Sequence, residues 1–180
     1  MQGHGMTTTK ILIALAALPM AMAPLATAAQ TVGEDSALCN AGKGPAIQAN
    51  IVGLKDRAGE VKLELYPANE TDFLRDDYLL QQEHKTFRRV TALTPKAGAV
   101  SICIKVPGPG RYAILFTHNR DSKSKFDFWT DGAGFPGAAR MGRSRPKLAQ
   151  AIIDVGPGIT TTSIRAQYLR GFGGFSPMSD

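Results

Sequence analysis

The sequence predicts an all-β domain, an antiparallel β-sandwich of about seven strands of the immunoglobulin or prealbumin type, with at most one short helix. Several short segments alternate apolar and polar residues, which is the period of a half-buried strand. Turns rich in Gly and Pro separate most of these segments. The 180 residues, 43% hydrophobic and 20% charged, are enough for one folded domain with an ordinary core. A closed barrel is the alternative architecture.

Residues 1–28 have the features of a secretory signal peptide. Lys10 precedes the apolar run 11–18, and the small residues Ala-Thr-Ala at 26–28 suit a cleavage site. A membrane anchor is the alternative, although proline interrupts the apolar stretch twice. Translation can begin at Met1 or at Met6. We expect a periplasmic or secreted protein whose mature part begins with a polar lead-in over residues 29–45.

The two cysteines, Cys39 and Cys103, are expected to form a disulfide, because an exported chain folds in an oxidising compartment. Two separate buried thiols are the alternative. Alternation over residues 100–106 places Cys103 on the face opposite the apolar residues, which favours a bridge to the lead-in lying across the outside of a sheet. The absence of a Cys-x-x-Cys pair excludes thiol–disulfide catalysis.

Seven segments have the period or the composition of strands: 46–54, 61–66, 87–93, 100–106, 111–117, 150–155 and 160–169. The first two flank a turn and are expected to pair as an antiparallel hairpin. The segment 87–93 suits a sheet edge, because its adjacent arginines discourage aggregation.

The other segments complete the domain. Residues 68–83 are predicted to form a loop with a short helix capped by Thr71 or Asp72. The sandwich domain then covers residues 46–170, and the Gly-rich residues 171–180 are expected to be a flexible tail.

One strand and its turn carry a family signature. Gly-Arg-Tyr-Ala begins at residue 110, a polar turn follows over residues 118–127, and Gly-Ala-Gly-Phe-Pro stands at 132–136. Together with Gly-Glu-Val-Lys-Leu-Glu-Leu-Tyr at 59–66, this pattern resembles the bacterial exported family called domain of unknown function 2141, over roughly residues 46–169. The resemblance implies an exported β-sandwich with no established activity.

The turn departs from the family pattern at the positions that would suit a cation. An Asp-x-Asn-x-Asn-Gly turn offers the spaced oxygens that Ca²⁺ binds, whereas here Asn119 and Asp121 are followed by Lys123 and Ser124. An ammonium group would lie where the cation binds, so we expect no metal and no cofactor. We expect hydrogen bonds from side chains to the backbone to hold the loop instead, with Asn119 and Asp121 capping turns.

The polar groups of this turn are the candidate site. The candidate residues are His118, Asn119, Asp121, Asp127, Trp129 and Asp131. A hydrolase would use His118 with Asp121, and Ser122 or Ser124 as nucleophile, but neither serine has a recognised nucleophile motif. Zinc-ligand spacing and a phosphate-binding loop are also missing. We therefore expect a non-enzymatic module, with this hydrolase and a metal-stabilised adhesin-like domain as alternatives.

Positive charge is concentrated in residues 111–147, which hold eight basic and three acidic residues. This excess suits an anionic partner such as a glycan or a lipid headgroup. The candidate anion-binding residues are Arg140, Arg143, Arg145 and Lys147. A loop that only confers solubility is the alternative.

Aromatic residues lie among these charges, at Phe126, Phe128, Trp129 and Phe135. Such residues can stack on nucleic-acid bases or on sugar rings, and an exported protein is not expected to meet nucleic acid. The alternative, which the sequence favours, is that they close the open end of the sandwich as a small satellite core.

Overall fold

A computed structural model describes residues 1–3, 29–123 and 125–178. The predicted signal peptide lies outside the described residues except for its first three. The described strands are β1 (Gln30–Val32), β2 (Ala46–Val52), β3 (Glu60–Pro67), β4 (Arg88–Leu93), β5 (Val100–Lys105), β6 (Gly110–Asn119), β7 (Gly132–Gly134), β8 (Ile152–Val155), β9 (Ile159–Arg165), β10 (Gln167–Leu169) and β11 (Phe175–Pro177). The described helices are α1 (Ser36–Asn40), α2 (Asp77–Gln82), α3 (Leu148–Ala151) and a 3₁₀ turn over Gly171–Gly173.

The strands form two sheets. In the large sheet the order is β11-β10-β7-β6-β3-β4, β8 pairs with the first half of β6, and all pairs are antiparallel. The small sheet has the order β1-β5-β2-β9, in which β1 with β5 and β2 with β9 are parallel. The prediction of purely antiparallel pairing is therefore correct for the large sheet only. Strand β4 is at the edge of its sheet, as predicted.

The predicted hairpin of β2 with β3 is wrong, because β2 belongs to the small sheet and β3 to the large one. Alternation fixes which face of a strand is buried, but it does not say which strand lies beside it. The connection between them contains Gly53 at φ +72° and Gly59 at φ +62°, and carries the chain from one sheet to the other.

The main core draws on both sheets. Ile47 and Ile102 of the small sheet and Leu63 and Phe116 of the large sheet are fully buried in one apolar cluster. Burying each such side chain stabilises the fold by roughly 1.5–3 kcal/mol. The alternation therefore directs the odd-numbered residues of β3 and the even-numbered residues of β6 toward this cluster.

A second core lies on the outer face of the large sheet. Tyr66, Phe73 and Phe135 pack there with edge-to-face ring geometry. The ring centroid of Phe73 lies 6.0 Å from that of Tyr66 and 5.9 Å from that of Phe135. Leu80 of α2 and Leu148 of α3 complete it. These elements cover one end of that face.

The prediction of at most one helix is wrong, because α1 and α3 are present in addition to α2. These helices have five and four residues, too few to show helical periodicity. The cap of α2 also differs from the prediction. Asp76 accepts hydrogen bonds from the backbone amides of Tyr78 and Leu79, whereas Asp72 accepts one from Lys85.

The lead-in is folded against the small sheet. Cys39 in α1 is bonded to Cys103 in β5, with a Cα–Cα distance of 6.1 Å. The two cysteines pack with Ala46, apart from the main core. The predicted bridge across the outside of a sheet is confirmed.

Residues 171–177, expected to belong to a flexible tail, form the 3₁₀ turn and β11. Phe175 is buried, and its backbone exchanges two hydrogen bonds with Gly142. A strand of three residues is too short for the alternation that reveals longer strands. Among the described residues, no helix is both long enough and apolar enough to cross a membrane.

The disulfide should stabilise the fold by closing a long loop. Its cysteines are 64 residues apart, a span for which the double variant Cys39→Ala/Cys103→Ala should lose about 4 kcal/mol of unfolding free energy. Urea unfolding measures this loss. A reducing agent should lower the stability of the parent protein to that of the variant and leave the variant unchanged. Equal midpoints for the parent and the variant would contradict the prediction.

Candidate functional site

His118, near the end of β6, is fully buried and bonded at both ring nitrogens. Nδ1 lies 2.7 Å from the hydroxyl of Tyr168 in β10, and Nε2 lies 2.8 Å from the carbonyl oxygen of Ala58. Since a carbonyl only accepts, Nε2 carries the proton and Nδ1 accepts from Tyr168. That hydroxyl in turn accepts from the backbone amide of Lys55 at 3.0 Å. His118 therefore joins β6, β10 and the turn before β3.

The electrostatics keep this histidine neutral. Burial lowers the pKa of His118 below its ordinary value, and burial raises the pKa of Tyr168 to about 12. The carboxylate that approaches His118 is Asp56, whose Oδ1 lies 4.0 Å from Nε2, and not Asp121. Asp56 is itself held by Arg120 at 2.9 Å from Nε, a hydrogen bond that lowers the pKa of Asp56.

The turn after β6 is held by its own side chains, as the sequence predicts. Asn119 donates from Nδ2 to the carbonyl of Lys123 at 2.9 Å, and Asp121 accepts from the amide of Lys123 at 3.1 Å. Asp131 is buried and accepts from the backbone amides of Arg120 and Asp127, each at 2.9 Å. These bonds fix the loop's start to its end.

Lys123 places its ammonium group on the candidate cation position. Its Nζ lies 2.7 Å from Oδ2 of Asp121, and this hydrogen bond lowers the pKa of that carboxyl. Among the described residues, no group of three or more His, Cys, Asp or Glu side chains is arranged to hold a metal ion.

The aromatic residues of the loop divide into buried and exposed ones. Phe135 belongs to the second core, as the satellite-core prediction requires. That prediction is wrong for Phe128 and Trp129, which are 64% and 84% exposed. Phe126 and Phe128 contact each other and the ring of Phe175 at 5.3 to 6.1 Å. The loop thus presents an aromatic surface to solvent.

Beside these aromatics is a groove of about 750 Å³, which we call the outer groove. It lies on the outer face of the large sheet, at the end that the second core leaves open. Its floor is formed by strand residues on the face of the sheet opposite the main core. These residues are Lys62, Glu64, Leu115, Thr117, Asn119, Ala133 and Leu169. Its walls include Leu74, Arg89, Lys123, Lys125, Phe126, Phe128, Trp129, Phe135, Met141, Arg143, Pro146 and Phe175.

Charge in the outer groove is mainly positive. The basic lining residues are Lys62, Arg89, Lys123, Lys125 and Arg143, and the acidic ones are Glu64 and Asp131. Arg89 is neutralised, since it bonds Glu64 through Nε at 2.5 Å and Asp77 through Nη1 at 2.8 Å. Lys125 and Arg143 are exposed and have no carboxylate partner in the described part of the chain.

The four candidate anion-binding residues have different surroundings. Arg143 lines the outer groove and lies 5.9 Å from the ring centroid of Phe172. Arg140 donates to the carbonyl of Gly173 at 3.2 Å, and Arg145 to that of Phe73 at 3.1 Å. Lys147 precedes α3. Of the four, the structure brings only Arg143 to the groove.

A model of the family described as an uncharacterized protein conserved in bacteria, domain of unknown function 2141, matches residues 49–163. The chain belongs to this family. Neither a curated protein nor a solved structure matches the chain significantly. The match extends from β2 into β9 and includes the turn after β6, so the DUF2141 segment contains His118 and most of the outer groove.

No sequence pattern pointed to several residues of this DUF2141 site. Tyr168 belongs to no motif, and its partnership with His118 joins positions 50 residues apart. Leu115 and Leu169 occupy outward positions of strands, where an apolar residue is a signal for a covered or binding face. Phe175 stood in a Gly-rich segment without periodicity.

The buried His118 should make stability fall in mild acid. Because the pKa of His118 is held below 6.5 in the fold, the unfolded chain binds the proton more readily as the pH drops through 6.5. The unfolding free energy should therefore decrease below that pH until the native pKa is passed. Urea unfolding between neutral and mildly acidic pH measures it. His118→Asn should flatten this dependence, and His84→Asn at the exposed histidine should preserve it; an unchanged profile in His118→Asn contradicts the prediction.

Gly59 should be required for the turn beneath His118. Its φ is +62°, and a Cβ there would overlap the carbonyl oxygen of Asn119. Gly59→Ala should lower the unfolding free energy by roughly 1–3 kcal/mol. Gly108→Ala is the matched control, because a Cβ at that position meets nothing within 4 Å. Thermal unfolding of both variants tests this, and equal stabilities would refute it.

Proposed function

We propose that this protein is an exported, non-enzymatic module that binds an anionic headgroup of a lipid or glycolipid through the outer groove. The observation that carries the proposal is the pairing of exposed cations with exposed aromatics on one open groove. Lys125 and Arg143 supply positive charge beside Phe128 and Trp129. Aromatic and basic side chains together are typical of sites that meet a charged, amphipathic surface.

The fold and compartment are part of the same proposal. A core contributed by both sheets supports a β-sandwich, which we propose is of the immunoglobulin or prealbumin type. The parallel pairs of its small sheet depart from the purely antiparallel pairing of the sequence prediction. The disulfide and the apolar N-terminal segment support export to the periplasm or the medium.

The geometry favours binding over hydrolysis. A general base needs a ring nitrogen that can reach a substrate proton. In His118 the two nitrogens bond Tyr168 and Ala58, and the side chain is fully buried. These two hydrogen bonds give His118 a structural role, which is to connect β6 with β10 and with the turn before β3. A metal-stabilised adhesin-like domain is disfavoured as well, because Lys123 forms an ion pair with Asp121.

Removing the exposed cations of the groove should weaken binding to anionic membranes. Each basic residue near such a surface contributes about 1 kcal/mol, so Lys125→Ala/Arg143→Ala should bind roughly 30-fold more weakly. Co-sedimentation with phosphatidylglycerol-containing vesicles, compared with pure phosphatidylcholine vesicles, measures this.

The matched control is Lys43→Ala/Lys96→Ala, which removes two exposed lysines outside the groove. Equal binding to neutral and anionic vesicles would refute the proposal. An equal loss in the control variant would also refute it, because binding would then depend on net charge alone. The further change of Arg140, Arg145 and Lys147 to Ala should add little, since Arg140 and Arg145 are bonded to backbone carbonyls.

A further inference from the structure

We propose that the outer groove takes an acyl chain, so that its ligand is a single-chain phospholipid whose phosphate head lies at Lys125 and Arg143. This inference rests on the proposed function and goes beyond it by naming what lies below the headgroup. It follows from the apolar part of the floor, the charge at the rim, and a buried acceptor beside them.

The floor of the outer groove has an apolar part formed by β6, β7 and β10, beside the polar residues Lys62 and Glu64 of β3. Leu115 of β6, Ala133 of β7 and Leu169 of β10 lie on its outer face, and Phe175 of β11 adds a buried ring. The volume of about 750 Å³ is within the range of pockets that enclose small ligands. A flexible hydrocarbon chain suits such an apolar surface, because its burial requires no directional partner.

The walls continue the apolar surface upward from the floor. Leu74, Met141 and Phe135 belong to or pack against the second core, which closes the far end of this face. Methionine adapts its shape to a flexible ligand. The groove therefore extends from the covered end of the sheet toward the aromatic loop.

The rim has the opposite chemistry. Lys125 and Arg143 are exposed, and the aromatic rings of Phe128 and Trp129 stand beside them. A phosphate can pair with both cations while the first methylenes of its chain contact the rings. Charge complementarity thus sets the direction of the ligand, with its head at the loop and its chain over the floor.

Asn119 supplies an independent observation. It is 4% exposed, lines the outer groove, and its Oδ1 is buried without a hydrogen-bond partner in the described part of the chain. Its Nδ2 is already used by the carbonyl of Lys123. A buried acceptor left unpaired is destabilising, and a hydroxyl of a glycerol headgroup would donate to it.

A glycan fits this floor poorly. Sugar hydroxyls placed against Leu115, Ala133 and Leu169 would lose their hydration and gain no hydrogen bond from those side chains. Asn119 and Thr117 lie on β6 toward the loop, and the other polar floor residues, Lys62 and Glu64, lie on β3, where Glu64 is already bonded to Arg89. The apolar residues of β6, β7 and β10 therefore provide a place for a hydrocarbon chain, and Asn119 with the rim cations provides a place for a polar head.

The test is a chain-length series of lysophosphatidylglycerols with the full folded protein. Binding is measured below the concentration at which the lipids aggregate, by calorimetry and by the fluorescence of Trp129, the single tryptophan. Each added methylene should tighten binding by about fourfold, the equivalent of ~0.8 kcal/mol, until the groove is filled. Glycerophosphoglycerol, the head without a chain, should bind far more weakly than any member of the series.

Two sets of variants separate the head from the chain. Lys125→Ala/Arg143→Ala should weaken every member by the same factor and leave the slope with chain length unchanged. Leu115→Gln and Leu169→Gln should reduce that slope. Leu93→Gln is the control, since Leu93 is 76% exposed on the edge strand β4, outside the groove. Leu169→Gln keeps the test valid if Leu115→Gln fails to fold.

The outcomes distinguish this inference from the proposed function. A flat series, with the bare headgroup binding as well as the lipids and still requiring Lys125 and Arg143, overturns the acyl-chain inference and leaves the headgroup proposal in place. Equal affinity for lysophosphatidylcholine and lysophosphatidylglycerol, with a steep series, overturns the anionic headgroup and supports the chain. Absence of binding by the whole series overturns both.

Discussion

Strand β6 has apolar residues on both of its faces, and the covering of each face determines the rest of the molecule. Ile114 and Phe116 face the small sheet and are fully buried there, while Ala113 and Leu115 face outward. An apolar sheet face is stable only when another layer covers it. The helices α2 and α3 cover the outer face around Ala113, but not the end beyond Leu115. The outer groove is this uncovered part of the sheet.

The buried histidine holds the edge of that groove in place. His118 connects β6 to Tyr168 and to the carbonyl of Ala58, and Arg120 connects the same turn to Asp56 and Thr130. With Asp131 closing the loop, the polar residues of the family turn are used in hydrogen bonds within the protein. The turn is therefore held by internal hydrogen bonds, and Phe128 and Trp129 project from it into solvent.

Several basic residues around the groove are likewise used in contacts within the protein. Pairs such as Arg89 with Glu64 and Lys123 with Asp121 neutralise cations within the fold. Arg140 and Arg145 bond backbone carbonyls and thereby anchor a segment without regular structure. What remains at the groove is a small number of exposed cations beside aromatic rings. A charge count along the sequence overstates the positive surface, because it includes residues whose positive charge is used to hold loops.

The sequence by itself determined the mainly β fold, the positions of the long strands, the disulfide, the family, and the self-held turn after His118. These features depend on the local alternation of apolar and polar residues, on the presence of two cysteines that can pair only with each other, and on side chains that contact their neighbours within one turn. Only the tertiary structure decided which strands pair, because alternation is the same for any partner. It also brought the hydroxyl of Tyr168 within hydrogen-bond distance of His118. It left Trp129 exposed and Phe135 buried, and it brought Leu115, Leu169 and Phe175 together in one groove. Each of these depends on contacts between distant positions, which no local pattern records.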